Sequence, residues 1–159
     1  WRGTLNYDSA TEIAAHEGIR SAFSRAAFEA LAPGYAGEEP VFIVGMPRTG
    51  TTLVERILSS HSHLVSIGEF TEFPRLYASR LLERYGRDGS RSPAETSLGI
   101  DFAALGRDYS RAARELAGDA HGFVDKLPYN FLYCGYILAA LPNARLIPAA
   151  INSGLSAWP

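Results

Sequence analysis

The sequence predicts an α/β fold, a P-loop NTPase-like parallel sheet flanked by helices, on three observations. The apolar, β-branched run Val41-Phe42-Ile43-Val44 has the composition of a strand buried on both faces and ends at Gly45. A turn follows at once, and Thr51 to Leu58 then places Leu53, Val54, Ile57 and Leu58 on the apolar stripe of an amphipathic helix. Farther on, short apolar runs alternate with helical patterns, the arrangement of parallel strands joined by crossover helices. Strand, glycine-bearing loop and helix make an anion cradle, because loop N–H groups and those of the helix's first turn converge on one spot.

In chain order, residues 1–39 read as a helical segment and a linker. Ile13, Ile19, Phe23, Ala26, Ala27, Phe28 and Leu31 recur near helical spacing after a cap at Asp8 or Ser9, as one helix or as two broken near Gly18. Ala32 to Gly37 is rich in turn residues and leads into the first strand. After the loop and its helix, Ser59 to His63 ends the helix, and Leu64 to Ile67 is a second strand with Gly68-Glu69 at its carboxyl end. A helix is expected after Pro74, running to Tyr85 with Leu76, Tyr77, Leu81 and Leu82 on one side, and then a polar loop over 86–93. A further helix spans Phe102 to Leu116. Phe123-Val124 is a brief strand closed by Asp125-Lys126, Pro128 suits the first turn of a helix running Tyr129 to Leu141, and Ala144 to Ile147 is a fourth strand.

With 159 residues, 47% hydrophobic and 20% charged, the chain has the composition of one globular domain with a real core. A net charge of -2, with arginines spread along the chain, gives no general attraction to nucleic acid. The single cysteine, Cys134, excludes an intrachain disulfide and a cysteine-built metal site, suits a reducing compartment, and reads as a small buried hydrophobe. No apolar run has the length of a membrane span and no leader pattern opens the chain, so a cytoplasmic protein is expected. The first residue is Trp1 rather than Met, which leads us to expect residues upstream.

From Gly45 the loop reads G-M-P-R-T-G-T-T, matching G-x-x-x-x-G-K-[ST] except that Thr51 stands where the lysine should be. A γ-phosphate has lost its usual cation, and no Asp ends a later apolar run as a Mg²⁺-holding residue would, so Mg²⁺-dependent ATP or GTP hydrolysis is the weaker reading. A single 5′-phosphate or phosphosulfate fits better, held by loop amides, two hydroxyls and Arg48. Ligands of open parallel sheets lie outside the carboxyl ends of the strands, so Glu69 and Lys126, both at such ends, should share a crevice with the loop. Glu69 is the candidate general base and His61 and His63 are second candidates. Lys126 is the only lysine among many arginines, which suggests that a compact ammonium is wanted there. Blander roles stand beside these: a solvated loop arginine, a helix cap at Thr51 or Thr52, a solvated carboxylate, a salt bridge of Lys126 with Asp125 or Glu69, and, as the favoured reading of His61 and His63, exposed residues at a helix end.

The stretch from Pro40 to His61 resembles the 5′-phosphosulfate loop of sulfotransferases that use 3′-phosphoadenosine-5′-phosphosulfate, especially bacterial enzymes with tetratricopeptide repeats and the tyrosylprotein sulfotransferases. Ile67-Gly68-Glu69 resembles the Gly-Glu that supplies the tyrosylprotein branch's catalytic base, and Phe123 to Leu132 resembles the segment carrying its catalytic lysine. The resemblance covers residues 40–147, as a sulfotransferase-like domain. It implies sulfuryl transfer to an acceptor hydroxyl, on a protein tyrosine, a sugar or a small molecule, without a metal. It also implies a cosubstrate site at Pro47, Arg48, Thr49, Gly50, Thr51 and Thr52, catalytic roles for Arg48, Glu69 and Lys126, and a tetratricopeptide-repeat domain upstream in a parent protein. Beyond 147 the family continues with an Arg-Asp-Pro stretch and a later serine that grip the 3′-phosphate, whereas this chain reads Pro148-Ala149-Ala150-Ile151-Asn152-Ser153-Gly154. Neither Ser153 nor Ser156 takes over that role by spacing. Residues 148–159 therefore read as an atypical tail, truncated or frame-shifted, and the domain as incomplete. The competing readings are a P-loop kinase or NTPase-like nucleotide-binding protein and a non-catalytic remnant.

Overall fold

The structure, a computed structural model, describes residues 17–18, 20, 23–46, 48–86 and 98–150. The expected caps Asp8 and Ser9, the positions Ile13 and Ile19, loop residue Pro47, the loop over 87–93 and the serines Ser153 and Ser156 lie outside them. The described residues fall into two compact units, one drawn from Trp1–Leu31 and Leu81–Ile100 and the other from Ala32–Arg80 and Asp101–Pro159.

In the first unit, Arg25–Glu29 forms the short helix α1, started by Ser24, whose hydroxyl accepts from the Ala27 N–H at 3.3 Å. Helical residues also occur at 17–18 and 20. Phe28, expected on an apolar stripe, is exposed.

The second unit holds a four-stranded parallel sheet of β1 (Val41–Gly45), β2 (Leu64–Gly68), β3 (Gly122–Asp125) and β4 (Arg145–Ala149), in the order β2-β3-β1-β4. Val41 pairs with Val124 on one side and Arg145 on the other, so β1 is central, and Val41 to Val44 are all buried as their composition requires. Successive β1 side chains point to opposite faces, and two kinds of core result. On one face Val41, Ile43, Val124 and Ala149 meet Val54 and Leu58 of the loop helix α2 (Thr51–Ser59). On the other, Phe42 stacks on Tyr109 with ring centroids 5.5 Å apart, and Phe73 and Phe123 complete an aromatic cluster around Tyr109.

Phe73 belongs to α3 (Glu72–Tyr85) and Tyr109 to α4 (Phe102–Ala117). Helix α4 has strong end signals, Asp101 accepting from the Ala104 N–H at 2.9 Å and Gly118 at φ 58° closing it. Its buried residues Phe102, Leu105, Gly106, Tyr109 and Ala113 follow the 3.6-residue period. Helix α3 begins two residues before Pro74, because proline is tolerated in a first turn. Its buried residues are Phe73 and Tyr77, whereas Leu82, expected on the apolar side, is exposed.

Two further expectations need correction. The continuous helix from Tyr129 to Leu141 is a 3-10 helix, Pro128–Tyr133, followed by α5, Cys134–Ala140. Tyr, Asn and Phe are weak α formers, and short 3-10 turns are common at helix starts. In α2 only the Val54 and Leu58 side of the apolar stripe meets the sheet, while Leu53 is 65% and Ile57 61% exposed. No helix among the described residues is long and apolar enough to cross a membrane.

Candidate functional site

The loop after β1 is shaped by its backbone. Gly50 takes φ 87° and Arg48, not a glycine, takes φ 70°, a left-handed conformation that ordinary residues rarely adopt. The Thr49 hydroxyl donates to the Met46 carbonyl at 2.7 Å and ties the loop across itself. Leu53 and Val54 are the first to donate back along α2, both to the Gly50 carbonyl, at 3.0 and 3.1 Å. The N–H groups ahead of them therefore lie at the open start of the helix, the polarity that attracts an anion. Thr51 is buried, Thr52 is exposed, and Arg48 is exposed without an ion pair among the described residues.

Glu69 follows β2 and Lys126 follows β3, and β2, β3 and β1 are parallel neighbours, so loop, carboxylate and ammonium share the carboxyl edge of the sheet. Gly68, at φ 72°, turns the chain out of β2, and its carbonyl accepts from the Lys126 N–H at 2.8 Å. The side chains meet as well: Lys126 Nζ donates to Glu69 Oε1 at 2.6 Å. Lys126 is 11% exposed and Glu69 58%, so the pair is a buried cation under a carboxylate that water and a substrate can reach. The bland salt bridge weighed for Lys126 thus exists with Glu69 and not with Asp125.

Sequence reasoning missed two carboxylates. Glu55, on α2, accepts from the Ser66 hydroxyl, its Oε2 lies 3.8 Å from Lys126 Nζ, and it is 15% exposed. It follows the partly buried Val54 and precedes Leu58 by three residues, a spacing that puts it on the inner half of the helix and could have flagged it. The second is Asp125, already read as closing the apolar run of β3, whose partners the sequence did not disclose. It faces Phe42 across the sheet register and turns its carboxylate onto the aromatic side, where Oδ2 accepts from the Tyr109 hydroxyl at 2.7 Å and Oδ1 from the Leu127 N–H at 3.0 Å. Those bonds commit it to shaping the turn around Lys126.

Burial pushes the Asp125 carboxyl up to about 6, against the lowering effect of its hydrogen bonds, and burial also raises the Tyr109 hydroxyl. Because the folded value exceeds the unfolded one, the folded chain keeps a proton there that the unfolded chain has released. The stability contributed by this group is full below pH about 4 and is lost as pH rises through about 6, by roughly 3 kcal/mol. The Asp125→Asn variant should lack this slope: its urea midpoint, measured relative to wild type from pH 4 to 7, should rise with pH, and parallel curves would contradict the assignment.

The histidines fall elsewhere. His63 immediately precedes β2 and His121 precedes β3, so these rings, with His61 packed on His63 at a centroid distance of 5.1 Å, lie at the amino edge of the sheet, opposite the loop. Parallel strands put one strand length between them and Glu69, which removes His61 and His63 as candidate bases. No group of three His, Cys, Asp or Glu among the described residues has the geometry to hold a metal ion.

Comparison with known proteins adds three findings. A family model described as "Sulfotransferase family" matches residues 40–149. An uncharacterized protein of Aquifex aeolicus is 37% identical over 119 residues, covering 72% of this chain and 16% of that protein. Nodulation protein NoeE of Sinorhizobium fredii is 32% identical over 137 residues, covering 74% of this chain and 31% of that protein. The chain thus spans less than a third of the length of either relative.

Proposed function

Since the chain belongs to the sulfotransferase family, we propose that it carries the phosphosulfate loop and catalytic pair of an enzyme that moves a sulfuryl group from 3′-phosphoadenosine-5′-phosphosulfate to an acceptor hydroxyl. The observation that carries this reading is the contact of Glu69 with Lys126 on the strand edge that also bears the Gly45–Thr52 loop. The residues present suit the 5′-phosphosulfate: a loop with left-handed residues at 48 and 50, a helix start, the hydroxyls of Thr51 and Thr52, and an exposed guanidinium. The cosubstrate would supply an activated sulfuryl group on a stable phosphate leaving group.

The chain's own part is positioning and charge. Glu69, exposed at the crevice, takes the proton from the acceptor hydroxyl as the new S–O bond forms. Lys126 and Arg48 offset the negative charge that grows as the old S–O bond to the 5′-phosphate breaks. In-line transfer of this kind needs little covalent help from the protein, as in phosphoryl transfer. The acceptor is a hydroxyl compound, of a protein tyrosine, a sugar or a small molecule, and the remainder of a longer parent protein, such as a tetratricopeptide-repeat domain, belongs to the same proposal.

Calorimetric titration of the purified chain with 3′-phosphoadenosine-5′-phosphate, with ATP and Mg²⁺ as comparison and circular dichroism as folding control, tests the reading. Binding of the 3′-phosphorylated nucleotide in preference to ATP is expected. Preference for ATP with Mg²⁺ would favour a kinase-like site, and binding of neither by a folded chain would make it a non-catalytic remnant.

A further inference from the structure

Lys126 is wedged between two carboxylates of different character: Glu69 is exposed and 2.6 Å away, and Glu55 is nearly buried and 3.8 Å away. Glu55 also reaches the base by a second route. Its Oε1 accepts from the Ser66 hydroxyl, and the same Ser66 oxygen accepts from the Gly68 N–H at 3.0 Å, bracing the left-handed turn that presents Glu69. Through Glu55 the loop helix α2, the end of β2 and the ammonium after β3 are tied together.

The charges give this arrangement a purpose. A base that holds Lys126 at 2.6 Å has a lone pair already engaged, and it must loosen that contact to take the acceptor's proton. Once protonated it is neutral, and a mostly buried ammonium left without a carboxylate is costly. Glu55 is the carboxylate that stays.

We propose that Glu55 is a positioning residue of the site, the standing counter-ion of Lys126 and, through Ser66, the brace of the Glu69 turn, which frees Glu69 to exchange Lys126 for the acceptor hydroxyl. This rests on the sulfuryl-transfer reading. Glu55 touches neither substrate in this scheme and acts through Lys126 and Glu69.

Two measurements test it. In turnover, Glu55→Gln should lower kcat by about 10- to 100-fold with the nucleotide KM unchanged, and Glu55→Asp should recover part of the loss. Added to Glu69→Gln, it should cost little more, because both changes act on one proton transfer; fully additive losses would mark Glu55 as merely structural. The second measurement needs no activity. With one lysine in the sequence, ¹⁵N-lysine labelling yields a single ammonium signal. It should persist in Glu69→Ala, which removes that acceptor altogether, and broaden away by exchange with water in Glu55→Gln. The opposite pattern would overturn the proposal. If Glu55→Gln does not fold, Ser66→Ala takes its place: it should lower kcat and keep the ammonium signal, and unchanged kcat would sink the brace. If no protein in the series transfers sulfate, the sulfuryl-transfer reading fails while the ammonium signal still decides whether Glu55 holds Lys126.

Discussion

Replacing Glu69 with glutamine should lower turnover by about 10²- to 10⁴-fold, the usual contribution of a positioned general base, while nucleotide affinity stays near wild type. The amide is nearly the same size and its oxygen can still accept from Lys126, so the geometry after β2 is kept. What is lost is the ability to take a proton from a hydroxyl that is a weak nucleophile at neutral pH. The groups proposed to bind the nucleotide's anion are on another strand, in the loop after Gly45, which is why affinity should not follow turnover. Steady-state rates with calorimetry on the same samples separate the two effects. Wild-type turnover would remove Glu69 from the mechanism.

The second large effect is structural, at the root of the loop. A Cβ placed on Gly45 would lie 2.3 Å from the backbone carbonyl oxygen of Ala149, the residue paired with it on β4, and 3.0 Å from the Thr49 hydroxyl. A main-chain oxygen of a paired strand cannot swing away as the tip of a flexible side chain can. Gly45→Ala should therefore push the ends of β1 and β4 apart, costing on the order of 3 kcal/mol or more and distorting the cradle at its first residue. Thermal melts should show the loss and calorimetry weakened nucleotide binding. A variant that melts and binds as wild type does would show that the strand ends yield more readily than this close approach implies. Gly50 is a useful contrast, since a Cβ there meets nothing within 4 Å and only its φ of 87° resists substitution.

The strands were legible because each is a short apolar run with a clear stop. Val41 to Val44 announced a central strand, and the structure buries all four. The loop was legible for a related reason, its glycines and threonines sitting at fixed offsets from that strand. Harder to read was the orientation of helices. Two adjacent rows of α2 are apolar, and the pattern cannot say that Val54 and Leu58 face the sheet while Leu53 and Ile57 do not. Partnerships between distant residues were also hidden. Asp125 looks like one half of a charged doublet, and only the fold delivers Tyr109 to its carboxylate. Glu55 looks like an ordinary acid on a polar helix face until β2 and β3 bring Ser66 and Lys126 beside it. The histidines were legible as exposed residues after the end of α2, and what sequence proximity to Glu69 concealed is that a parallel strand separates them from it.

The order β2-β3-β1-β4 also governs how the molecule comes into being. Of the four described strands the first in sequence, β1, lies inside the sheet, and both of its neighbours are made much later, since Val41 must wait for Val124 and then for Arg145. At about 5–20 residues per second, ribosomal synthesis leaves that apolar ribbon unpaired for roughly 4 to 20 s. Closing such long loops is also slow in a refolding chain, because chain entropy is lost before any pairing rewards it. A nascent polypeptide of this design therefore offers its most adhesive segment to its surroundings or to a chaperone well before it can bury it.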